Sequence, residues 1–363
     1  MHQIIAHYVS ESMFAHGYIN YMQNVMKDYE HVFITGNSLN RNCCVKQANI
    51  IQISKDWEIL TNSDVRKVLY SCDKLIVTGI FSKASYLALI LKSFFGKTYP
   101  QFWGGDFYNI RDNDETYKEE GFIKWLKKKI VNTIKKVCII RCTAVVTLIE
   151  EDYDELEKIT GIRKRHYVAS VPDDGIGGLP VLKMKDQSFP VIILLGNSAT
   201  ETNHHIDALD MLKKFSKENI EIICPLSYGS REYAERVIEY GKKYFNAKFI
   251  PLINLIPKDE YLKLLSDVRI AMFNNDRQQG MGNISRLLAT GCKVYLKNDT
   301  SMWSFYKNRG YSVNDIDNIK SLDFDELVSF SQSNAIHNNG IFLQYSDPTI
   351  LYNSWKRIFE DRV

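Results

Sequence analysis

A run of polar residues and glycines separates two apolar stretches in the C-terminal half of the chain. Residues 268–273 are predicted to form a buried strand, and residues 284–289, with Gly291 as a left-handed cap, a helix. Between them stand Arg277, Gln278, Gln279, Gly280 and Gly282. A loop that joins a strand to a helix directs backbone N–H groups and the positive helix end at one point, and a guanidinium suits phosphate oxygens. The pattern predicts a diphosphate-binding loop; an ordinary strand-to-helix turn is the alternative.

A second glycine turn occurs earlier in the same half. The predicted strand 191–195 runs into Gly196, Asn197 and Ser198, and a helix is predicted to start near Asn203. Because open parallel sheets bind ligands at the carboxyl ends of their strands, two such turns predict one shared site.

A carboxylate follows a predicted strand in the N-terminal half. Asp106 comes after Gly104 and Gly105, where partial burial would raise its pKa toward that of a working base. The functional hypothesis is that Asp106 accepts a proton from a substrate hydroxyl. The alternative is a turn aspartate that caps its own backbone.

These residues resemble those of the TDP-N-acetylfucosamine:lipid II N-acetylfucosaminyltransferase family. The resemblance rests on Gly196-Asn197-Ser198 with Asn203 and His205, on Pro225 followed by Tyr228, and on Arg277-Gln278-Gln279-Gly280 with Gly282. It is densest between residues 191 and 303. It implies a GT-B enzyme that transfers 4-acetamido-4,6-dideoxygalactose, from a dTDP-linked donor, to an undecaprenyl-linked saccharide without a metal or other cofactor.

The resemblance also implies roles for individual residues. Asp106 and Arg277 would be catalytic, as base and as charge-neutralising group. His7 and His16, which flank the first strand-to-helix turn, would contact the acceptor. The residues expected to bind the donor are Gly196, Asn197, Ser198, Asn203, His205, Tyr228, Arg277, Gln278, Gln279, Gly280 and Gly282. For His205 and Tyr228 a purely structural role is the alternative.

Residues 122–137 form a basic amphipathic segment. Apolar residues recur at helical spacing, and most of the remaining positions are lysine. Such a helix can lie on an anionic membrane surface with its lysines at the phospholipid headgroups. The alternative is a solvated basic helix packed on its own domain. A polyprenyl-linked acceptor favours membrane contact.

Asp112-Asn113-Asp114 has the form of a divalent-metal motif, but it precedes a predicted helix, where acidic residues stabilise the positive end. We therefore expect no metal site.

The 363 residues carry a net charge of +3, which does not favour nucleic acid as a partner. Seven cysteines without a C-x-x-C pair do not indicate a disulfide framework or a zinc site. With no signal peptide and no long apolar window, we expect a cytoplasmic protein, peripheral at the inner face of the cell membrane.

Alternating strands and helices predict an α/β protein of two doubly wound, Rossmann-like domains, which in the GT-B class face each other across a cleft. We expect an acceptor-binding domain at 1–175, a linker at 176–189 and a nucleotide-sugar-binding domain at 190–342. By resemblance, a C-terminal helix within 343–363 returns to the first domain. Strands are predicted at 3–9, 31–35, 50–53, 75–80, 100–103, 144–148, 166–171, 191–195, 220–224, 249–252, 268–273 and 293–296. Helices are predicted at 14–27, 82–95, 116–137, 150–160, 203–215, 231–244, 258–266, 284–289 and 348–359.

Two other functions are compatible with the same sequence features. A nucleotide-sugar epimerase would use the same scaffold but would need no acceptor saccharide. A non-catalytic nucleotide- or membrane-binding module would bind its ligand without transfer.

Overall fold

The computed structural model describes residues 3–12, 14–36, 48–110, 121–172, 178–183 and 190–362. The chain divides into two compact units. The first consists of Met1–Gly175 together with Pro348–Val363, and the second of Ile176–Asp347. Each unit is built on a parallel sheet, as the alternation of strands and helices predicted.

The described strands of the first unit form a seven-stranded sheet in the order β3-β2-β1-β4-β5-β6-β7. The strands are β1 Ile4–Val9, β2 Glu30–Gly36, β3 Asn49–Ile53, β4 Lys74–Thr78, β5 Lys97–Phe102, β6 Val145–Thr147 and β7 His166–Val168. Alternate residues of β1 enter different core clusters, Ile5 one and Ala6 the other. The sheet is therefore buried on both faces, as parallel sheets usually are.

The helices of the first unit include three that the apolar spacing did not predict. Their bounds are α1 Ala15–Asn24, α2 Glu58–Thr61, α3 Ser63–Ser71, α4 Lys83–Lys92, α5 Gly105–Tyr108, α6 Phe122–Arg141 and α7 Glu151–Thr160. The three are α2, α3 and α5. Asn62 caps α3 by accepting from the backbone N–H groups of Asp64 and Val65. The predicted start of α6 at residue 116 lies outside the described residues.

The last helix, α15 (Pro348–Phe359), belongs to the first unit. Trp355 is fully buried there, and its indole N–H donates to the Ser170 carbonyl at 3.2 Å. The buried Lys74 ammonium donates to the last carbonyls of this helix, at 2.9 Å to Ile358 and 2.5 Å to Phe359. A cation at this end also complements the helix dipole. The start of β4 and the end of α15 are thus held together.

The described strands of the second unit form a six-stranded sheet in the order β10-β9-β8-β11-β12-β13. The strands are β8 Val191–Leu195, β9 Ile220–Pro225, β10 Phe249–Leu252, β11 Ile270–Phe273, β12 Lys293–Leu296 and β13 Asn314–Asp315. The chain leaves β8 toward β9 on one side and returns to β11 on the other. The carboxyl ends of β8 and β11 therefore form a topological switch point, where doubly wound sheets bind ligands.

The helices of the second unit again include three that were not predicted. Their bounds are α8 His205–Leu212, α9 Arg231–Phe245, α10 Lys258–Asp267, α11 Met281–Ala289, α12 Ser301–Asn308, α13 Phe324–Val328 and α14 Gln332–Tyr345. The three are α12, α13 and α14. Asp323 and Glu326 form a capping box at the start of α13. The helix α11 begins three residues before the predicted start, so that Gly282 lies in its first turn.

No helix among the described residues is both long enough and apolar enough to cross a membrane.

Replacing Lys74 by methionine keeps the apolar stem but removes the donor to two buried carbonyls. We expect Lys74→Met to lower the free energy of unfolding by about 1–3 kcal/mol, because buried acceptors are left unsatisfied. Lys67→Met, at an exposed position of α3, is the matched control and should change stability by less than about 0.5 kcal/mol. Chemical denaturation measures both, and equal effects would contradict the role of Lys74.

Candidate functional site

Two loops meet at the switch point of the second unit. One follows β8 and contains the Gly196 turn; the other follows β11 and runs from Asn274 to Gly280. The Gly196 N–H donates to the Met272 carbonyl of β11 at 2.9 Å. The first loop is therefore fixed to the strand from which the second one leaves.

The Gly196 turn requires glycine for two reasons. Its φ is +67°, a left-handed conformation that residues with a Cβ rarely adopt. A Cβ at this position would also lie 2.4 Å from Nε2 of His205 and 2.9 Å from Oδ1 of Asn203. The two polar side chains thus occupy the space beneath the turn.

Asn203 and His205 support the turn from within. The side-chain oxygen Oδ1 of Asn203 accepts from the Asn197 N–H at 3.0 Å, and its side-chain amide Nδ2 donates to Thr200 Oγ1 at 2.6 Å. His205 is fully buried beside Tyr233, with 3.3 Å from Nδ1 to the hydroxyl. Burial lowers the pKa of His205 to about 4, so that the ring is neutral at pH 7. Both side chains, expected at the donor, instead shape the loop that would contact it.

The two loops are joined by hydrogen bonds between their side chains and backbones. Asn275 donates from Nδ2 to the Asn197 side-chain oxygen at 3.3 Å, and the Asp276 N–H donates to the Thr202 carbonyl at 3.0 Å. Gln279 accepts from Thr202 Oγ1 at 2.8 Å. The Gln279 amide, expected at the donor sugar or ribose, therefore joins the two loops.

The second loop ends at the N-terminus of α11. Gly280 is the N-cap, with φ +65° and no side-chain cap, and a Cβ there would lie 3.2 Å from the Asn197 side chain. Gly282 is exposed, and a Cβ built on it would meet no heavy atom of the described residues within 4 Å beyond its chain neighbours and its own helix backbone. The first N–H groups of a helix have no intrahelical acceptor. This helix end therefore presents backbone donors to open space.

Aromatic and amide side chains surround this helix end. Tyr228 is half-exposed, and its hydroxyl accepts from Asn197 Nδ2 at 3.0 Å. Asn283, in the first turn of α11, donates to the Tyr261 hydroxyl at 2.9 Å. Burial, reinforced by the nearby Tyr228, raises the pKa of Tyr261. Asn283 and Tyr261 were not predicted as site residues, because nothing in their local sequence distinguishes them from packing residues.

The other predicted donor residues differ in their exposure. Arg277 is half-buried in the second loop, whereas Gln278 and Ser198 are buried. Beside Arg277, the Asp276 carboxylate accepts from Lys297 at 2.8 Å and contacts His204. Although burial alone would raise the pKa of Asp276, these two hydrogen bonds lower it. His204 and Lys297 were also missed by the sequence, since their contacts join distant parts of the chain.

In the first unit, Asp106 is buried and its carboxylate accepts from backbone N–H groups. Oδ2 accepts from Ile80 at 2.9 Å, and Oδ1 accepts from Trp103 at 2.9 Å and from Phe107 at 3.1 Å. Burial raises the pKa of Asp106 to about 6, against the opposing effect of these bonds. The carboxylate joins the loop after β4 to the loop after β5, which matches the capping alternative more closely than a base open to substrate.

The two N-terminal histidines occupy different environments. His7 lies inside β1 and is fully buried, with 2.8 Å from Nδ1 to the Tyr18 hydroxyl and 2.9 Å from Nε2 to His31. The expectation that His7 contacts an acceptor is therefore corrected: both ring nitrogens are engaged within the core. His16 is partly exposed in the first turn of α1, and its Nδ1 has no hydrogen-bond partner in the described part of the chain.

The motif Asp112-Asn113-Asp114 lies outside the described residues. Within the described residues, no group of three or more His, Cys, Asp or Glu side chains is placed to hold a metal ion.

Asp106→Asn distinguishes two hypotheses for this residue, a buried structural carboxyl and a catalytic base. Because the wild-type pKa is about 6 rather than 3.8, the folded state holds this proton more tightly, and the carboxyl's contribution to stability falls as pH rises from about 4 to 6. The variant lacks this titration. Between pH 7 and pH 4.5 we expect the wild type to gain about 2 kcal/mol of unfolding free energy relative to the variant.

Denaturation at the two pH values measures this difference, and turnover is compared at equal folded fraction. A difference independent of pH would contradict the buried, raised-pKa carboxyl. A turnover loss on the order of 10²-fold or more in folded variant would restore the base hypothesis.

The chain was compared with protein families and with solved structures. The model of the family described as 4-alpha-L-fucosyltransferase, glycosyl transferase group 56, matches residues 20–321. A glycosyltransferase from Rickettsia africae ESF-5 superposes with a TM-score of 0.66 at 14% identity, over 99% of this chain and 98% of that one.

Two further structures share the fold. An alpha-glucosyltransferase in complex with UDP and a 13-mer DNA has a TM-score of 0.60 at 10% identity, over 99% and 100% of the two chains. A putative UDP-N-acetylglucosamine 2-epimerase from Listeria monocytogenes has a TM-score of 0.54 at 12% identity, over 100% and 99%. At these identities the likeness shows the fold alone.

The fold, with its two parallel-sheet α/β domains, is that of the GT-B class, as the sequence predicted. Transferases and a putative epimerase share it, so the activity follows from the family match, which spans most of the 363 residues. The chain therefore belongs to the 4-alpha-L-fucosyltransferase family, glycosyl transferase group 56, and is a glycosyltransferase.

Proposed function

We propose that the second unit binds the diphosphate of a nucleotide-sugar donor at the N-terminus of α11. The observation that carries the proposal is the joining of two loops through Asn197, which accepts from Asn275 and packs on Gly280. This contact holds the Gly196 turn beside the uncapped helix end. Backbone donors at a helix N-terminus stabilise phosphate oxygens through hydrogen bonds and the helix dipole.

Arg277 supplies the second part of the proposed chemistry. As the bond between the sugar and the diphosphate breaks, negative charge grows on the departing nucleotide. A guanidinium and fixed N–H groups neutralise that charge without reorganisation and without a metal ion. On this proposal, turnover is unchanged by a chelator.

The donor is proposed to be a dTDP-linked 4-acetamido-4,6-dideoxyhexose. The family resemblance supports this choice, and the half-exposed ring of Tyr228 offers a surface on which a base can stack. Calorimetry of dTDP-, UDP- and GDP-sugars tests it: the dTDP-sugar should bind most tightly. Binding of none of the three would contradict the proposed function itself.

The acceptor is proposed to be a polyprenyl-pyrophosphate-linked saccharide of bacterial surface polysaccharide synthesis. A polyprenyl chain remains in the bilayer, so the enzyme would work at the inner face of the cell membrane. His16, partly exposed in the first turn of α1, is the residue retained from the predicted acceptor contacts.

The epimerase is the second candidate, because a putative epimerase shares the fold. It would convert the nucleotide sugar without any acceptor. Incubation of the dTDP-sugar alone, followed by NMR of the sugar, distinguishes the two: an epimerase inverts a ring carbon of the sugar, whereas a transferase without its acceptor does not.

Gly282→Ala tests the position of the diphosphate. Among the described residues, no heavy atom outside the adjoining residues and the helix's own backbone lies within 4 Å of a methyl group there, so the fold should keep or slightly gain stability, up to about 1 kcal/mol. The methyl would, however, enter the space through which a phosphate approaches the helix end, and the donor Kd should rise about tenfold or more.

Gly340→Ala is the matched control, because this helical glycine of α14 also has, in the described part of the chain, no neighbour outside its own helix backbone within 4 Å of a built Cβ. It should leave the donor Kd unchanged. Calorimetry measures all three proteins. Unchanged donor affinity in Gly282→Ala would place the diphosphate elsewhere.

Arg277→Ala tests the guanidinium. Loss of a hydrogen bond to a charged group removes about 1.5–3 kcal/mol, which raises the donor Kd by about 10- to 100-fold. Arg277→Lys keeps the charge without the planar fork of donors, and its donor Kd should lie between those of the wild type and Arg277→Ala. Arg66→Ala, an exposed arginine of α3, is the control. Equal affinities of Arg277→Ala and the control would exclude a donor contact.

A further inference from the structure

The long helix α6 (Phe122–Arg141) packs on the first unit through one narrow face. Its buried residues are Asn132, Lys135, Cys138 and Ile139. The Lys135 ammonium donates to the Asp106 carbonyl at 2.7 Å, and the Cys138 thiol contacts the Tyr86 carbonyl. The face of the helix that is turned toward the protein is therefore fixed by contacts.

The apolar stripe of α6 lies on the opposite face. At about 100° per residue, its members centre roughly 180° from the buried residues. They are exposed by 37 to 70%, and the set is Ile123, Leu126, Ile130, Val137 and Ile140. In an ordinary surface helix the apolar stripe faces the core. Here it faces away from the fold, along a line about 25 Å long.

The charge of α6 is of one sign. The helix contains six lysines and one arginine and no acidic residue. On the helix surface Lys127 borders one side of the apolar stripe, and Lys129 and Lys136 border the other. An apolar strip with cations on both sides matches an anionic lipid surface, where acyl chains lie beneath negative headgroups.

Exposed aromatic residues extend this surface at the C-terminal end of α6. The Arg141 guanidinium lies 4.0 Å from the centre of the Phe94 ring, and Phe94 is 62% exposed. Phe95, also exposed, packs edge-on against Tyr70 with 4.8 Å between ring centres. Phenylalanine is among the residues typical of the membrane-facing side of interfacial segments.

We propose that the exposed apolar stripe of α6 inserts into the interface of a bilayer that contains anionic lipid, with the helix lying along the membrane plane. A second copy of this chain is a poorer partner, because two such surfaces would bring lysines of the same charge together. The inference deepens the proposed function, on which its biological role rests: a surface-bound enzyme meets a polyprenyl-linked acceptor at the membrane.

Co-sedimentation with vesicles tests the proposal. The full chain should partition onto vesicles of phosphatidylcholine with 30% phosphatidylglycerol more strongly than onto phosphatidylcholine alone. Ile123→Ser with Ile130→Ser should weaken partitioning by about 10- to 100-fold. Lys127→Gln with Lys136→Gln should weaken it by about fivefold for each lysine at low salt, and less at high salt.

Matched controls replace residues of similar exposure in the second unit. Ile336→Ser with Leu343→Ser removes two exposed apolar side chains, and Lys242→Gln with Lys243→Gln removes two exposed lysines. These variants should bind vesicles like the wild type. Equal losses in test and control variants, or no binding by the wild type, would overturn the proposal.

Two further measurements distinguish a failure of the proposed membrane surface from a failure of the proposed function. Donor affinity by calorimetry should be unchanged in the α6 variants; donor binding without vesicle binding would overturn the membrane surface alone. Vesicle binding without any nucleotide-sugar binding would instead overturn the proposed function. Wild-type dimers that dissociate in the Ile123→Ser, Ile130→Ser variant would assign the surface to a second copy of the chain.

Discussion

The arrangement of the second unit depends on the absence of a side chain at residue 196. The left-handed turn brings backbone so close to His205 and Asn203 that a single methyl group would overlap the imidazole. Because the turn is closed in this way, Asn197 reaches both the second loop and Tyr228. One steric constraint thus fixes the relative positions of the turn, the loop after β11 and the start of α11.

Polar groups inside both units hold segments that are distant in sequence. Lys74 and Lys293 are each the first residue of a strand, and each donates to the last carbonyls of a helix. Asp106 joins two loops at the end of the first sheet in the same manner. Burial lowers the pKa of each lysine to about 8 and raises that of Asp106 to about 6. Burial therefore disfavours the charged form of each group, and the hydrogen bonds offset part of that cost.

Local chemistry could be predicted from the sequence, whereas the direction of side chains could not. Gly196 and Gly280 follow strands at positions where only a glycine turn allows the chain to continue into a helix, and they were identified. Asn203 and His205 were expected to face a ligand, but which way they point depends on how the turn closes. The link from Gln279 to Thr202 joins residues 77 positions apart, and no local pattern encodes it.

The missed helices and the orientation of α6 have a related cause. The apolar residues of α14 do not form one face, so periodicity gave no signal. The caps of α3 at Asn62 and of α13 at Asp323 were not predicted. For α6 the periodicity predicted a helix, but the apolar face of a surface helix usually packs against the core. The contacts of Lys135 and Cys138, together with the exposure of the apolar stripe, show that this face is turned outward.

The central claim is that a nucleotide diphosphate is held by backbone amides at the start of α11 and in the Gly196 turn. Amide chemical shifts recorded on the isotope-labelled chain during titration with dTDP test it most directly. We expect the largest shifts at residues 196–198 and 280–283. Saturable binding with those amides unmoved, and the largest shifts elsewhere, would contradict the claim.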